Sequence, residues 1–179
     1  MLQKSSTLAV LEVFFVEPSK EHYLMDISRK TNLAHTSVKK NLADLIKEGF
    51  IRQESQKKGK REFPVYKAMT GYKRFKQYKI ISNMAALQET GIIDFLDQKL
   101  APKVIVVFGS YRRGEDQEDS DIDLFVEGIG EKLDLSAFEK RLKRKIQVHS
   151  KRDFTAYPKE LKNNIINGIV MHGFLEGYK

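Results

Sequence analysis

Lys103-Val104-Ile105-Val106-Val107-Phe108-Gly109-Ser110-Tyr111-Arg112-Arg113-Gly114 leads through an acidic linker, Glu115 to Asp119, into Ser120-Asp121-Ile122-Asp123-Leu124-Phe125-Val126, and this stretch decides the fold. The β-branched run predicts a strand, the glycine a turn, and the apolar residues around the two aspartates a second strand. At the turn, Gly109 permits close backbone approach to an anion. Ser110 offers a hydroxyl and an amide at an expected helix N-terminus, a suitable grip for phosphate. Asp121 and Asp123 are two residues apart on an expected strand, so both carboxylates leave one face about 6–7 Å apart while Ile122 points into the core. Such a pair can share a hard divalent cation, Mg²⁺ or Mn²⁺. Gly-Ser alone, or Asp-x-Asp alone, is common in solvated surface loops; the combination and its spacing carry the weight.

Gly-Ser, ten intervening residues and Asp-x-Asp at the head of an apolar strand resembles the DNA polymerase β-like nucleotidyltransferase superfamily. The segment from Gly109 to Gly114 resembles the phosphate-binding turn of that family. The resemblance implies that Gly109, Ser110 and Arg113 hold a triphosphate tail and that Asp121 and Asp123 coordinate its Mg²⁺. It also implies a third carboxylate on a later strand. The matching segment is Lys145-Ile146-Gln147-Val148-His149, after an amphipathic helix over 135–143, and Gln147 stands where the acid is expected. A glutamine oxygen is a weaker Mg²⁺ ligand and no general base, so the sequence supports nucleotide binding more directly than turnover. His149 shares a strand face with Gln147; it is read as structural or solvent-facing, with a base role as the alternative.

In the tail, Leu161, Ile165, Ile169 and Val170 fall at helical spacing, followed by His172-Gly173-Phe174-Leu175-Glu176-Gly177; this resembles the short glycine-ended C-terminal helix of minimal nucleotidyltransferases, with His172 read as a surface residue at the helix end and no acid beside it. The likeness to minimal nucleotidyltransferases spans residues 102–179. Some relatives modify small molecules, and others are antitoxins that transfer AMP to a HEPN toxin, so a toxin partner is an expectation by resemblance alone. A polymerase is disfavoured, because the chain has no length for template-holding domains.

Charge divides unevenly: residues 1–81 hold 17 basic and 8 acidic residues, residues 82–179 hold 15 and 16. The basic excess therefore lies in the first half, which points to nucleic acid there. Leu8, Leu11 and Phe15 behind Ser5-Ser6-Thr7 predict a first helix closed by Pro18, and Tyr23 to Lys30 a second. Val38, Leu42, Leu45 and Ile46 form the apolar stripe of a third, stopped at Gly49 with Phe50 folding back on Leu45. Ile51–Glu54 and Phe63–Ala68 are expected strands, joined by a basic turn from Ser55 to Arg61. This order, with Val38-x3-Leu42-x2-Leu45 and Lys47-Glu48-Gly49-Phe50-Ile51, resembles the winged helix-turn-helix family. The resemblance implies DNA binding through Thr36, Ser37, Lys39, Lys40 and Asn41 on the third helix and Lys57, Lys58, Lys60 and Arg61 on the wing. A homodimer reading paired half-sites is the expected assembly. His35 lacks a ligand partner one helical turn away and is read as a polar residue at the helix start.

The expected architecture is α+β: a winged helix-turn-helix over 1–69, a helical connector over 70–101, and a polymerase β-like mixed sheet with flanking helices over 102–179. Aromatic residues of the connector are read as packing rather than as a nucleic-acid track. Cysteine is absent from the 179 residues, which excludes disulfides and thiolate metal sites. No apolar run reaches the roughly 20 residues that span a bilayer, and a cytoplasmic location without membrane contact is expected. Two functions fit: a nucleotidyltransferase coupled to DNA binding, or a regulator whose altered nucleotidyltransferase domain senses nucleotide without transferring it.

Overall fold

The computed structural model describes residues 5–128, 130–151, 154 and 157–176. The chain divides into two compact units, residues 1–79 and 80–179. The stretch expected to be a connector forms α4 (Lys73–Thr90) and α5 (Ile92–Leu100). Its residues contribute to both cores: Phe75 to the first, Leu87, Ile92, Ile93 and Leu96 to the second.

The first unit contains α1 (Ser6–Val16), α2 (Leu24–Thr31), α3 (His35–Lys47) and an antiparallel hairpin of β1 (Ile51–Lys58) and β2 (Arg61–Ala68). The Ser5 hydroxyl accepts the Leu8 N–H and starts α1. The end of α3 follows from Gly49: its N–H donates to Ile46 O and the Phe50 N–H to Leu45 O, both at 3.0 Å, the paired bonds of a Schellman stop. Phe50 then joins Val10, Phe14, Ile27, Val38, Leu42 and Leu45 in the core. Two expectations change here. Ile46 is 37% exposed, and the buried stripe of α3 instead includes Asn41, which is 5% exposed. The strands are also longer than expected, because Lys57 pairs with Glu62 and Lys58 with Arg61, leaving only Gly59-Lys60 as the turn.

His22 is buried beneath Phe14, and its ring approaches the Glu17 carbonyl at 3.0 Å. Burial lowers its pKa below 6.5. Burial would raise Glu17, but its bonds to Lys20 and Lys30 outweigh this and bring it down from 4.5 to about 2. Both folded values lie below the unfolded ones, so the unfolded chain takes up more protons on acidification. The stability of this unit should therefore decline as pH falls below 6.5 through His22, and again between pH 4.5 and about 2 through Glu17. Urea unfolding across this range checks it; His22→Phe should remove the upper phase and leave the lower.

The second unit is built on a four-stranded mixed sheet in the order β5-β4-β3-β6, comprising β3 (Val104–Phe108), β4 (Ile122–Glu127), β5 (Ile146–Lys151) and β6 (Ile169–Gly173). β3 runs antiparallel to β4 and β6, and β4 runs parallel to β5. Period-two alternation sorts the side chains onto two faces. Ile105, Val107, Ile122, Leu124 and Val126 pack with α4 and α5 residues, while Val104, Val106, Phe108 and Phe125 pack with Phe154, Tyr157 and Ile165. Short helices α6 (Gly109–Arg113), α7 (Ser136–Leu142) and α8 (Lys159–Ile166) complete the unit. Among the described residues no helix is long and apolar enough to cross a membrane.

The tail corrects its helical reading. Leu161 and Ile165 lie on α8, but Ile169, Val170 and His172 lie on β6, and Gly168 separates the two elements. A Cβ at Gly168 would stand 2.3 Å from a Val106 methyl and 2.8 Å from Ile165 O. Only glycine lets the chain pass this close to β3, and the residues after it pair with that strand instead of continuing the helix. His172 is thereby brought to 3.3 Å from Asp97, so an acid does neighbour it. Gly177, the last residue of the segment expected to end the tail helix, lies outside the described residues.

Candidate functional site

The site grows from the junction of β3 and β4. Register places Phe108, the last residue of β3, opposite Asp123 on β4, and Gly109 follows at once in a left-handed conformation with φ 72°. A Cβ at Gly109 would stand 2.2 Å from an Asp123 carboxylate oxygen. The turn thus rests against the acid, with no room for a side chain between them. Gly109→Ala should cost roughly 1–3 kcal/mol from the left-handed backbone alone, and more from displacing Asp123. An unchanged urea midpoint in this variant would contradict the packing.

Asp121 lies immediately before β4 rather than within it. Parallel pairing sets Asp123 beside Gln147 on β5, and the Gln147 amide donates to Asp121. Asp123 Oδ1 meets His149 Nε2 at 3.4 Å. Because Gln147 and His149 are two apart on one strand, they share a face, and both acids approach that face. Ile122 is fully buried on the other side. His149, expected to be structural or solvent-facing, is part-exposed: its ring packs at a tilt on Phe108 with centroids 5.2 Å apart, and its nitrogen faces Asp123.

Ser110 lies in the first turn of α6, and Arg113 lies in its last, where its guanidinium bonds Glu115 at 2.9 Å on the exposed surface. An exposed pair of this kind is worth little and yields readily to a stronger anion. The linker after α6 is held by a buried polar cluster that sequence reading missed. Asn83 on α4 donates to Tyr111 O at 2.9 Å and to Asp116 at 3.0 Å, and Asp116 pairs at 3.5 Å with Arg144, just ahead of β5. Asp116 and the Arg144 side chain are 1% and 5% exposed. Burial, then the Asp116 charge, pushes the Tyr111 phenol well above its ordinary value. One carboxylate therefore ties the turn, the linker and the start of β5 together. A recess of about 450 Å³ opens beside this linker, lined by Ser120, Lys140, Lys143 and Lys145 among others.

In the first unit, α3 presents Thr36, Lys39 and Lys40 to solvent and Ser37 half-buried. Asn41 is not part of this surface: its Oδ1 accepts from the Thr7 hydroxyl at 2.9 Å and the Ser6 hydroxyl at 3.3 Å, which binds α3 to the start of α1. Lys57, Lys60 and Arg61 are exposed along the hairpin; Lys58 lies on β1, with its side chain outside the described residues. His35 is exposed at the start of α3.

Residues 90–171 match the family model of the nucleotidyltransferase domain, a span that contains the turn, both acids, Gln147 and His149. The mixed sheet flanked by helices accords with a polymerase β-like domain of this class, and the match supports nucleotidyl transfer as its general chemistry. A solved structure described as a possible transcriptional regulator from Methanosarcina mazei Go1 is similar at 17% identity and a TM-score of 0.36, covering 54% of this chain and 79% of that one. No curated protein matches the chain.

Proposed function

We propose that the second unit binds a nucleoside triphosphate with Mg²⁺ or Mn²⁺ and transfers its nucleoside monophosphate, with AMP the first candidate, to an acceptor hydroxyl, the α–β phosphoanhydride bond breaking to release pyrophosphate and the hydroxyl proton passing to solvent. The supporting observation is the seating of the Gly109 turn directly on Asp123, with Asp121 on the same side of the sheet. Among the described residues no cluster of three His, Cys, Asp or Glu side chains is poised to hold a metal. Two carboxylates suit Mg²⁺, which commonly takes one or two from the protein and completes its six positions from phosphates and water. When bound, the cation would neutralise the phosphate charge that otherwise repels an incoming hydroxyl.

The remaining roles fall to the chain itself. Gly109 and Ser110 supply backbone and hydroxyl contacts to the phosphate tail, and Arg113 exchanges Glu115 for a phosphate oxygen. Gln147 donates its amide N–H to Asp121, so it orients that acid; to face a cation it must turn its oxygen inward. This feature favours a second reading, in which the domain binds nucleotide and signals without transferring it. Incubation with Mg²⁺ and α-labelled triphosphates, alongside calorimetric titration, separates the readings. Label on an acceptor establishes transfer, binding without label establishes sensing, and absence of binding contradicts both.

For the first unit we propose a winged helix-turn-helix that docks on duplex DNA, α3 in the major groove and the hairpin on the backbone. Support comes from the basic excess in residues 1–81 and from the exposure of Thr36, Lys39, Lys40, Lys57, Lys60 and Arg61. Replacing Lys39, Lys40, Lys57 and Lys60 by alanine should weaken binding to any duplex. It should also reduce the slope of log affinity against log salt by about one for each phosphate that is no longer neutralised. An unchanged slope would remove this surface from the interface.

A further inference from the structure

Asp123 and His149 bring two metal-ligating atoms, Oδ1 and Nε2, side by side. The 3.4 Å between Oδ1 and Nε2 exceeds the usual 2.7–3.2 Å range of an N–H···O bond. Two donors side by side on a six-coordinate divalent ion, each at about 2.1 Å, stand about 3 Å apart, which is close to the observed spacing. Both groups are also fixed from behind. Gly109 abuts the other carboxylate oxygen of Asp123, and the Phe108 ring lies against the imidazole at 5.2 Å. Each side chain retains partial access to solvent, with 26% and 29% exposure. The position expected to supply a third acid holds Gln147, whose amide is turned to Asp121, and the β5 side chain that meets Asp123 is His149, through a nitrogen.

We infer that His149 is a metal ligand: its Nε2 and Asp123 Oδ1 together hold the divalent cation that accompanies the triphosphate, and the imidazole tunes the site toward Mn²⁺ or a similar transition ion over Mg²⁺. This rests on the nucleotidyltransferase reading above. Imidazole bonds first-row transition ions well, whereas Mg²⁺ strongly favours oxygen. His149 is thus a specificity-determining residue for the ion, a role distinct from proton transfer.

The test uses the full chain with Mn²⁺ and inorganic tripolyphosphate, which contains no nitrogen. Pulsed electron paramagnetic resonance should show the ¹⁴N modulation of a directly bound imidazole, replaced by a ¹⁵N pattern when the protein is grown with ¹⁵N-histidine. In His149→Gln the modulation should vanish, and Mn²⁺ affinity should fall by roughly tenfold or more while Mg²⁺ affinity changes much less. The isotope experiment needs no substitution and holds even if the variant folds badly. Mn²⁺ bound without histidine nitrogen coupling, or coupling that survives in a folded His149→Gln, overturns the assignment while leaving the nucleotidyltransferase reading intact. Failure of Mn²⁺ and tripolyphosphate to bind at all overturns both.

Discussion

Replacing Asp121 and Asp123 together by alanine should reduce nucleotidyl transfer by about 10³-fold or more, with the fold unchanged. The magnitude follows from the charge involved. Stabilisation of a transferring phosphoryl group by bound metal is worth several kcal/mol, and each 1.36 kcal/mol is a factor of ten in rate. Neither acid is part of the apolar core: Asp121 precedes β4, and Asp123 is one-quarter exposed beside His149. Their removal leaves the apolar core intact and costs only part-exposed bonds to Gln147 and His149, so melting should change little. Asn variants keep the shape and lose the charge, and should behave like Ala if metal holding is the role. The readout is α-label transfer and triphosphate affinity measured beside the melting curve. Retained affinity in the double variant would mean that the phosphates are held elsewhere.

The largest expected effect on stability belongs to Asp116, which lies in the linker between α6 and β4. In Asp116→Ala the buried Arg144 guanidinium loses this carboxylate, and Asn83 loses one of its two acceptors. Breaking a buried ion pair from one side costs about 3–5 kcal/mol, because the remaining charge is left uncompensated. Most of the stability of a small unit lies within about 5–15 kcal/mol, so the sheet unit should unfold at markedly lower urea. Asp116→Asn keeps an acceptor for Asn83 and should lose less. Replacing Asp116 and Arg144 together by apolar residues should recover much of the loss, since neither charge is then stranded. Amide exchange in β3 and β4 reports on this unit directly. Protection unchanged from the parent protein would show that the cluster does not hold the linker.

Features set by local chemistry were legible in the sequence. The strand before Gly109 and the turn at it, the burial of Ile122 and the stop at Gly49 each follow from residues a few positions apart. What escaped reading depends on distant neighbours. Leu161, Ile165 and Ile169 keep helical spacing, and only the approach of Gly168 to Val106, far back in the chain, converts the last of them to strand. Asn41 resembles a DNA-facing polar residue until Ser6 and Thr7, on another helix, supply its donors. The hairpin strands grew because Lys57 and Lys58 found Glu62 and Arg61 in register, a pairing that a basic stretch alone does not announce. His149 met Asp123 only because β5 lies parallel to β4 in one particular register, and a shift of one residue would turn the histidine to the opposite face.

The functional reading rests on the turn and the two acids. Anomalous diffraction from crystals holding Mn²⁺ and a non-hydrolysable triphosphate tests that reading most directly. A metal peak beside Asp121 and Asp123, with the phosphates against Gly109 and Ser110, is the predicted result. Phosphates and metal bound away from both acids, or excluded from this face of the sheet, would contradict it.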